Sequence, residues 1–363
     1  MNLRPYQARS IDFLQPLKRG FIVAPAGSGK TIIAANAVAK KIKTGQKVCW
    51  LANTREQVDQ AIEALSNTDG PGGVEFDVRC AAGMPDVSDA DILVVDESHH
   101  LMAETWMQTA SAARGIVWGF SATPWGTDPE RNAGLKAFFE NQFLLIDREE
   151  VKAGGHLAEG RVFMHDLDTR GQFDEEIAKK TAVEVARRVR MFRQIPKFEH
   201  ERRATWQITQ ETVQQNRVRN AHAVATIKQS VGEGKSVLTL VGSIEHGEEI
   251  AAQVEGTIVA HSKMGLKKRR AAIEAFRDGT LKSLVATSLA DEGLNCPIAS
   301  VLVLLAGGRS AAKIEQRAGR VMRPVEGKEF GTVHDYWDKG AKFAWAQAFA
   351  RVKTYQNLGY TIL

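Results

Sequence analysis

The sequence predicts two consecutive α/β domains of similar size, each built on a parallel sheet that is covered on both faces. Three observations carry this expectation. Short runs that are apolar at every position alternate with segments of helical periodicity, as strands buried on both faces require. The alternation pauses near residue 170 and restarts near residue 235. The 363 residues suffice for two domains of ordinary size.

Taken in order, residues 21–24 read as a buried strand and 31–43 as the helix after it. Residues 48–51 form a second strand, followed by an amphipathic helix over 54–65. The run 92–95 is a strand ending in Asp96, and 116–120 is one ending in Ser121. In the second half, residues 237–241, 257–260, 283–286 and 301–305 read as strands with helices between them. The intervening stretch, about 170–235, is polar and mostly helical. Within it, residues 187–203 hold seven Lys or Arg against two Glu, interleaved with Phe192 and Phe198 and followed by Trp206. From Lys339 the chain reads as a helix bearing Trp345, Phe349 and Tyr355. The expected boundaries are a first domain over 1–157 and a second over 158–338 with a basic helical insert around 170–210. The last segment, 339–363, is expected to pack back on the core as a helix.

Composition narrows the class. Apolar residues make up 44% and charged residues 25%, which excludes a disordered chain. The net charge of +5 fits a polyanionic partner without requiring one. Cys49, Cys80 and Cys296 are far apart and odd in number, so they make neither a disulfide framework nor a metal knuckle. Reduced thiols are expected. The stretch from Met1 to Arg9 has no apolar core, so no secretory signal is expected. No apolar run approaches the roughly 18 residues that span a bilayer, so no membrane partner is expected.

In a parallel α/β sheet, chemistry gathers at the carboxyl ends of the strands. After the first strand comes Ala24-Pro25-Ala26-Gly27-Ser28-Gly29-Lys30-Thr31, opening a helix. The strict phosphate-loop pattern has Gly where Ala24 stands, but the core from Gly27 to Thr31 is intact. Glycines let backbone N–H groups curl around phosphate oxygens, and the helix N-terminus adds a favourable partial charge. Lys30 is placed to reach the β- and γ-phosphates and Thr31 to ligate Mg²⁺. Ala26, Gly27, Ser28 and Gly29 complete the cradle. A chance glycine-rich turn would lack the strand before, the helix after and the Lys-Thr pair.

Asp96-Glu97-Ser98-His99 places two carboxylates at the tip of an apolar strand. A buried strand has no structural use for them, whereas a Mg²⁺ site does. Asp96 is assigned to the metal, and Glu97 to taking a proton from the attacking water. His99 and His100 invite a zinc reading, but no HExxH or CxxC pattern accompanies them. Loop and acidic pair together define a nucleotide hydrolase, a class that includes kinases and GTPases.

Seven further segments narrow it. Leu3-Arg4-Pro5-Tyr6-Gln7 precedes the loop, and Trp50-Leu51-Ala52-Asn53-Thr54-Arg55-Glu56-Gln57 follows the second strand. Ser121-Ala122-Thr123-Pro124 ends the fourth strand. The second half carries Leu240-Val241-Gly242-Ser243, Ala260-His261-Ser262-Lys263-Met264, and Val285-Ala286-Thr287-Ser288 leading to Glu292-Gly293-Leu294-Asn295. Last comes Gln316-Arg317-Ala318-Gly319-Arg320-Val321-Met322-Arg323. In this order they resemble superfamily 2 helicases of the DExH kind, over nearly the whole chain. The last string matches that family's Q-R-x-G-R-x-x-R and is the most specific single match.

The resemblance implies two tandem RecA-like domains that close on ATP in a cleft between them. It implies that Arg4 and Gln7 read adenine, and that Glu292 and Gly293 face the ribose. Arg320 and Arg323 would stabilise the charge of phosphoryl transfer, with Gln316 positioning water or the γ-phosphate. His99, Ser121 and Thr123 would couple the ATP site to loops on the nucleic acid. Thr54, Arg55, Ser243, Ser262, Lys263 and Thr287 would touch the phosphate backbone, which gives position without sequence readout. Thr54 before Arg55-Glu56-Gln57 also fits a capping box, and both readings stay open. The basic insert is either a solvated helix face or a stacking platform. The expected function is an ATP- and Mg²⁺-dependent helicase or translocase, acting as a monomer on nucleic acid. DNA is favoured over RNA, single-stranded or forked. The alternative is an ATP-gated clamp, or a duplex-remodelling ATPase for branch migration or annealing, working with a partner protein. The nearest branch resembles phage recombination helicases such as UvsW, bacterial RadD-like proteins and restriction-enzyme motor subunits, with Val333-His334-Asp335-Tyr336 as its final strand. That branch implies the cytoplasm of a bacterium or of a phage-infected host cell. Two departures stand out: Asn295 replaces the family's usual Asp, and residues 70–90 hold no recognisable G-T strand-contact motif.

Overall fold

A computed structural model describes residues 3–83, 85–125, 128–155, 158–167, 174–191, 195–287, 296–323, 325 and 328–363. The chain forms two compact units, Met1–Leu157 and Ala158–Leu363.

The first unit holds six strands: β1 (Arg19–Val23), β2 (Lys47–Ala52), β3 (Glu75–Cys80), β4 (Ile92–Asp96), β5 (Ile116–Ser121) and β6 (Phe143–Leu145). Their order is β3-β2-β4-β5-β1-β6, and every pair is parallel. Alternation along each strand divides the core into two layers. Ile22, Trp50, Val94 and Trp118 face one side with α1 (Pro5–Leu14), α2 (Lys30–Lys41) and α3 (Arg55–Ser66). Phe21, Leu51, Leu93 and Val95 face the other side with α4 (Glu104–Ala112) and α5 (Pro129–Phe138). A short helix, α6 (Arg148–Ala153), closes the unit. With helices on both faces, the strand ends at one rim are the place left for polar work.

The second unit holds seven strands: β7 (Glu159–His165), β8 (Ser236–Val241), β9 (Thr257–Ala260), β10 (Ser283–Thr287), β11 (Ala299–Leu304), β12 (Phe330–Tyr336) and β13 (Thr361–Ile362). Their order is β13-β7-β12-β11-β8-β10-β9, again with every pair parallel. The basic helical segment follows β7, inside this unit. It is a hairpin of α7 (Asp174–Met191) and α8 (Lys197–Gln214), after which α9 (Arg217–Gly232) leads into β8. Among the described residues the remaining helices are α10 (Ile244–Ala251), α11 (Leu266–Arg277), α12 (Ala311–Val321) and α13 (Lys342–Asn357).

The helix α13 is stapled to β12 by a buried ionic cluster. Asp335 accepts hydrogen bonds from Arg351 Nε at 2.7 Å, Arg351 Nη2 at 3.0 Å and the Tyr355 hydroxyl at 2.9 Å. Arg351 also donates to the Gly308 and Tyr336 carbonyls. Of the aromatic residues expected on this helix, Tyr355 is buried, whereas Trp345 and Phe349 are exposed and gather with Trp337. Among the described residues, no helix is long and apolar enough to cross a membrane.

Candidate nucleotide site

At the end of β1 the chain turns through Ala24, Pro25, Ala26, Gly27, Ser28 and Gly29 into α2. Gly27 and Gly29 have φ of 85° and 82°, the left-handed region that favours glycine. A Cβ on Gly29 would also lie 2.7 Å from Gln7 Nε2, so neither conformation nor space admits a side chain. The helix begins at Lys30 without a side-chain cap. Its first N–H groups therefore face the loop, the arrangement that binds anions at helix N-termini. Lys30 Nζ reaches back to donate to the Ala24 carbonyl at 3.3 Å. Thr31 sits half-buried in the first turn. Ser28 Oγ is buried with no hydrogen-bond partner among the described residues.

The loop is held from outside by α1. Tyr6 donates its hydroxyl to the Ser28 carbonyl at 2.9 Å, and Gln7 Nε2 donates to the same oxygen at 3.1 Å. Gln7 Oε1 accepts from the Arg4 backbone N–H at 3.0 Å, and Arg4 Nη1 donates to Tyr6 Oη at 2.8 Å. The side chains expected to read adenine are thus partly spent on the loop itself. Gln7 keeps one N–H beyond these bonds. Tyr6, to which the sequence attaches no role, is part of the same latch.

The acidic pair stands two strands away. Asp96 is opposite Phe120 in the register of β4 with β5, and Val23 is opposite Ser121 in that of β1 with β5. Loop, carboxylates and Ser121 therefore end three adjacent strands. Asp96 Oδ1 accepts from the Glu97 N–H at 2.9 Å, and Glu97 itself adopts a left-handed φ of 50°. A 3₁₀ turn, Ser98–Met102, follows. Ser98 Oγ donates to the Val95 carbonyl at 2.7 Å and accepts from the Phe120 N–H at 3.0 Å, which pins the tips of β4 and β5 together.

Electrostatics separates the two carboxylates. Burial, and then the charge of Glu97, push Asp96 up to about 7, against the opposing pull of Lys30. Burial acts upward on Glu97 too. There the adjacent His99 ring and the charge of Lys30 outweigh it and hold Glu97 below the usual carboxylate range. The ionised member is the one a general base must be. A cation beside Asp96 would ionise it as well.

His99 Nδ1 lies 3.0 Å from Ser121 Oγ and 3.3 Å from Glu97 Oε2. Ser121 Oγ in turn accepts from the Thr123 N–H at 3.3 Å. A continuous polar chain therefore runs from Glu97 through His99 and Ser121 to Thr123. His100 stacks on His99, with ring centroids 4.2 Å apart, and on Trp106. Among the described residues, no group of three or more His, Cys, Asp or Glu is placed to hold a metal. One carboxylate and one hydroxyl fit Mg²⁺, which takes few protein oxygens beside phosphate and water.

The second unit presents its own rim. Ser243 caps α10, accepting from the His246 N–H at 3.2 Å. Ser262 and Lys263 are exposed between β9 and α11. Thr287, at the end of β10, is buried. Gln316 and Arg320 lie on α12, with Arg320 buried and Arg323 just beyond the helix. Burial, and then the charge of Arg320, pull Arg323 below the usual guanidinium range. In the first unit, Thr54 does form the capping box: its Oγ1 accepts from the Gln57 N–H at 3.3 Å, and Gln57 Oε1 accepts from the Thr54 N–H at 3.1 Å. Arg55 is exposed. Glu292, Gly293 and Asn295 lie outside the described residues.

Residues 219–325 match the family described as Helicase conserved C-terminal domain, and residues 1–72 match Type III restriction enzyme, res subunit. A putative DNA 3'-5' helicase Rad25 of Halobacterium salinarum is 26% identical over 346 residues, covering 89% of this chain and 52% of that protein. Putative helicase 22 of a Sulfolobus islandicus filamentous virus is 26% identical, covering 92% and 64%. These matches support a likeness to the helicases of superfamily 2. Its fold agrees with that of yeast Dbp5 bound to RNA and ADP BeF3, with a TM-score of 0.63 at 15% identity over 99% of this chain and 89% of that one. The chain spans about half to two thirds of the length of the curated relatives it matches first.

Two residues of the site escaped sequence reasoning. Tyr6 and Ser98 act through backbone groups contributed by other elements, and nothing in the local sequence of Tyr6 announces this. Ser98 had one available signal, a small hydroxyl residue directly after an acidic pair that must be held at a strand tip.

Proposed function

We propose that this chain is an ATP-hydrolysing motor that moves along nucleic acid or separates its strands, with DNA as the favoured track. The observation that carries the reading is the set Lys30, Asp96, Glu97, His99 and Ser121 on the ends of three adjacent strands. Lys30 and the N–H groups of the loop and of α2 would hold the phosphates. Thr31 and Asp96 would hold Mg²⁺, which supplies charge neutralisation on the phosphates when bound. Glu97 takes the proton of the attacking water. As Glu97 gains that proton, its hold on His99 weakens and the His99–Ser121 bond is left to dominate. That change is carried to the Thr123 turn.

Arg320 and Arg323 are assigned to the transferring phosphoryl group and Gln316 to orienting water. Glu292 and Gly293 are assigned to the ribose, and the free N–H of Gln7, with Arg4, to the base. Arg55, Ser262 and Lys263 are assigned to the strand backbone. Thr54 and Ser243 are assigned there too, through what their capping bonds leave free. Thr287 is assigned to the strand backbone as well, from a buried position at the end of β10. The relatives' descriptions as DNA 3'-5' helicases support DNA, and the match over residues 1–72 supports a place near restriction-type motors.

The test is steady-state ATP hydrolysis without nucleic acid, then with single-stranded, duplex and forked DNA and with RNA, at stated salt because backbone binding is salt-dependent. Strong stimulation by one of the DNA forms is expected. A flat rate across all of them would overturn the motor reading in favour of a clamp.

A further inference from the structure

The α7–α8 hairpin buries one side and leaves the other bare. Ile177 of α7 and Ile208 and Val213 of α8 pack with Ala341 and Ala344, which seats the hairpin on α13. The outer face carries large apolar side chains in water: Phe198 is 64% exposed, Trp206 53% and Met191 60%. Burying a side chain of this size is worth about 1.5–3 kcal/mol, so such a face is costly without a partner.

The order of residues on α8 is specific. Phe198, Arg202 and Trp206 recur every four residues and lie within about 80° of one another around the helix, and Gln210 and Gln214 continue the row further round it. Its inner end lies on the carboxyl rim of the second sheet. A Cβ on Gly242 would be 2.4 Å from Gln214 Nε2, and one on Gly307 2.6 Å from Gln210 Oε1. Gly242 precedes Ser243, a residue assigned above to the strand backbone. The row therefore winds outward from that rim: two amides, then an aromatic ring, a cation and a second aromatic ring. Phe198 and Trp206 are about 12 Å apart along the axis.

Charge selects the occupant. Most cations of the hairpin are neutralised on it: Arg187 and Arg188 share Glu184, Arg203 pairs with Glu199 and Lys197 with Glu201. Arg202 and Arg190 carry no ion pair among the described residues. An aromatic–cation–aromatic stripe in a stretch with seven Lys or Arg against two Glu fits a flexible polyanion that offers flat apolar rings.

We infer that Phe198, Arg202 and Trp206 form a binding site for single-stranded nucleic acid, taking the strand as it passes beyond the rim at Gly242 and Ser243. The rings stack on bases and Arg202 meets the phosphate between them. The inference rests on the motor reading above and adds a surface to it.

The experiment is fluorescence anisotropy of labelled oligo(dT) with the full chain, paired with basal ATP hydrolysis. Trp206→Ala is expected to weaken binding on the order of 5- to 150-fold, the range for loss of one base–aromatic stack, and Phe198→Ala similarly. Trp206→Phe is expected to restore most of the affinity. Arg202→Gln is expected to reduce the slope of log affinity against log salt by about 0.7. All four variants sit on an exposed face and should keep basal ATP hydrolysis. Unchanged oligonucleotide affinity in both alanine variants, with the wild type binding normally, would overturn this inference, leave the motor reading standing and assign the patch to a protein partner. A wild type that neither binds oligo(dT) nor hydrolyses ATP faster with any nucleic acid would overturn both.

Discussion

Arg351→Met should loosen the second unit from one end. Asp335 is fully buried and takes three of its hydrogen bonds from Arg351 and Tyr355. Removing the guanidinium leaves a buried carboxylate with no countercharge, a change that costs about 3–5 kcal/mol. The Gly308 and Tyr336 carbonyls also lose a donor each. Against a domain stability of roughly 5–15 kcal/mol this is a large share. A single unfolding free energy is poorly defined for two units, so the assay is hydrogen exchange resolved by peptide. Protection in β12 and α13 should fall on the order of 150-fold or more, while peptides of the first unit stay unchanged. The double variant Asp335→Asn, Arg351→Met removes the stranded charge and should recover part of the loss. Protection in Arg351→Met close to wild type, or a double variant no better than the sum of the two single losses, would refute the reasoning.

Glu97→Gln should retain ATP binding, measured by a fluorescent ATP analogue, and lose turnover; turnover near wild type would move the base elsewhere. Gly119→Ala should cost about 1–3 kcal/mol by overpacking, because its Cβ would lie 2.3 Å from Phe139 Cζ and 2.6 Å from Ser98 Oγ. Since Ser98 pins the tips of β4 and β5, ATP turnover should fall with it, and a thermal melt together with a rate assay checks both. Burial holds His165, His334 and His246 down at about 4, whereas an unfolded histidine titrates near 6.5. The unfolded chain then binds more protons across this window, so the stability these groups contribute is present above about pH 6.5 and lost as pH falls toward 4. The urea midpoint of the second unit should therefore drop between pH 7 and pH 5, and a flat midpoint would count against neutral buried histidines.

What the sequence made legible follows burial. The strands β1, β2, β4, β5, β8, β10 and β11 are buried on both faces, so each is a plain apolar run. Of the edge and half-covered strands, β9 still showed as a short apolar run, whereas β3, β6 and β7 left no such mark. In β3, Glu75, Asp77 and Arg79 alternate with Phe76, Val78 and Cys80, and in β7, Arg161, Phe163 and His165 are only half-buried. The three residues of β6 are too few to show a period. At the site, the loop glycines and the acidic pair are local patterns and could be read directly. The Tyr6–Ser28 latch and the Ser98 stitch join elements brought together only by the fold. Helical spacing identified which residues of α8 share a face with Trp206, but not that this face is left in water.

The placement of β1 has a consequence for how the protein is made. β1 lies between β5 and β6, so neither of its neighbours exists until about a hundred more residues have been synthesised, roughly 5–20 s at ordinary elongation rates. During that interval Phe21, Ile22 and Val23 have no strand to pair with, and a nascent chain in this state is a natural client for a chaperone. A ribosome stalled before residue 116 would hold an intact phosphate loop and both carboxylates without Ser121 to connect to them. The nucleotide site thus comes into being in one late step, when β5 slots in between β4 and β1.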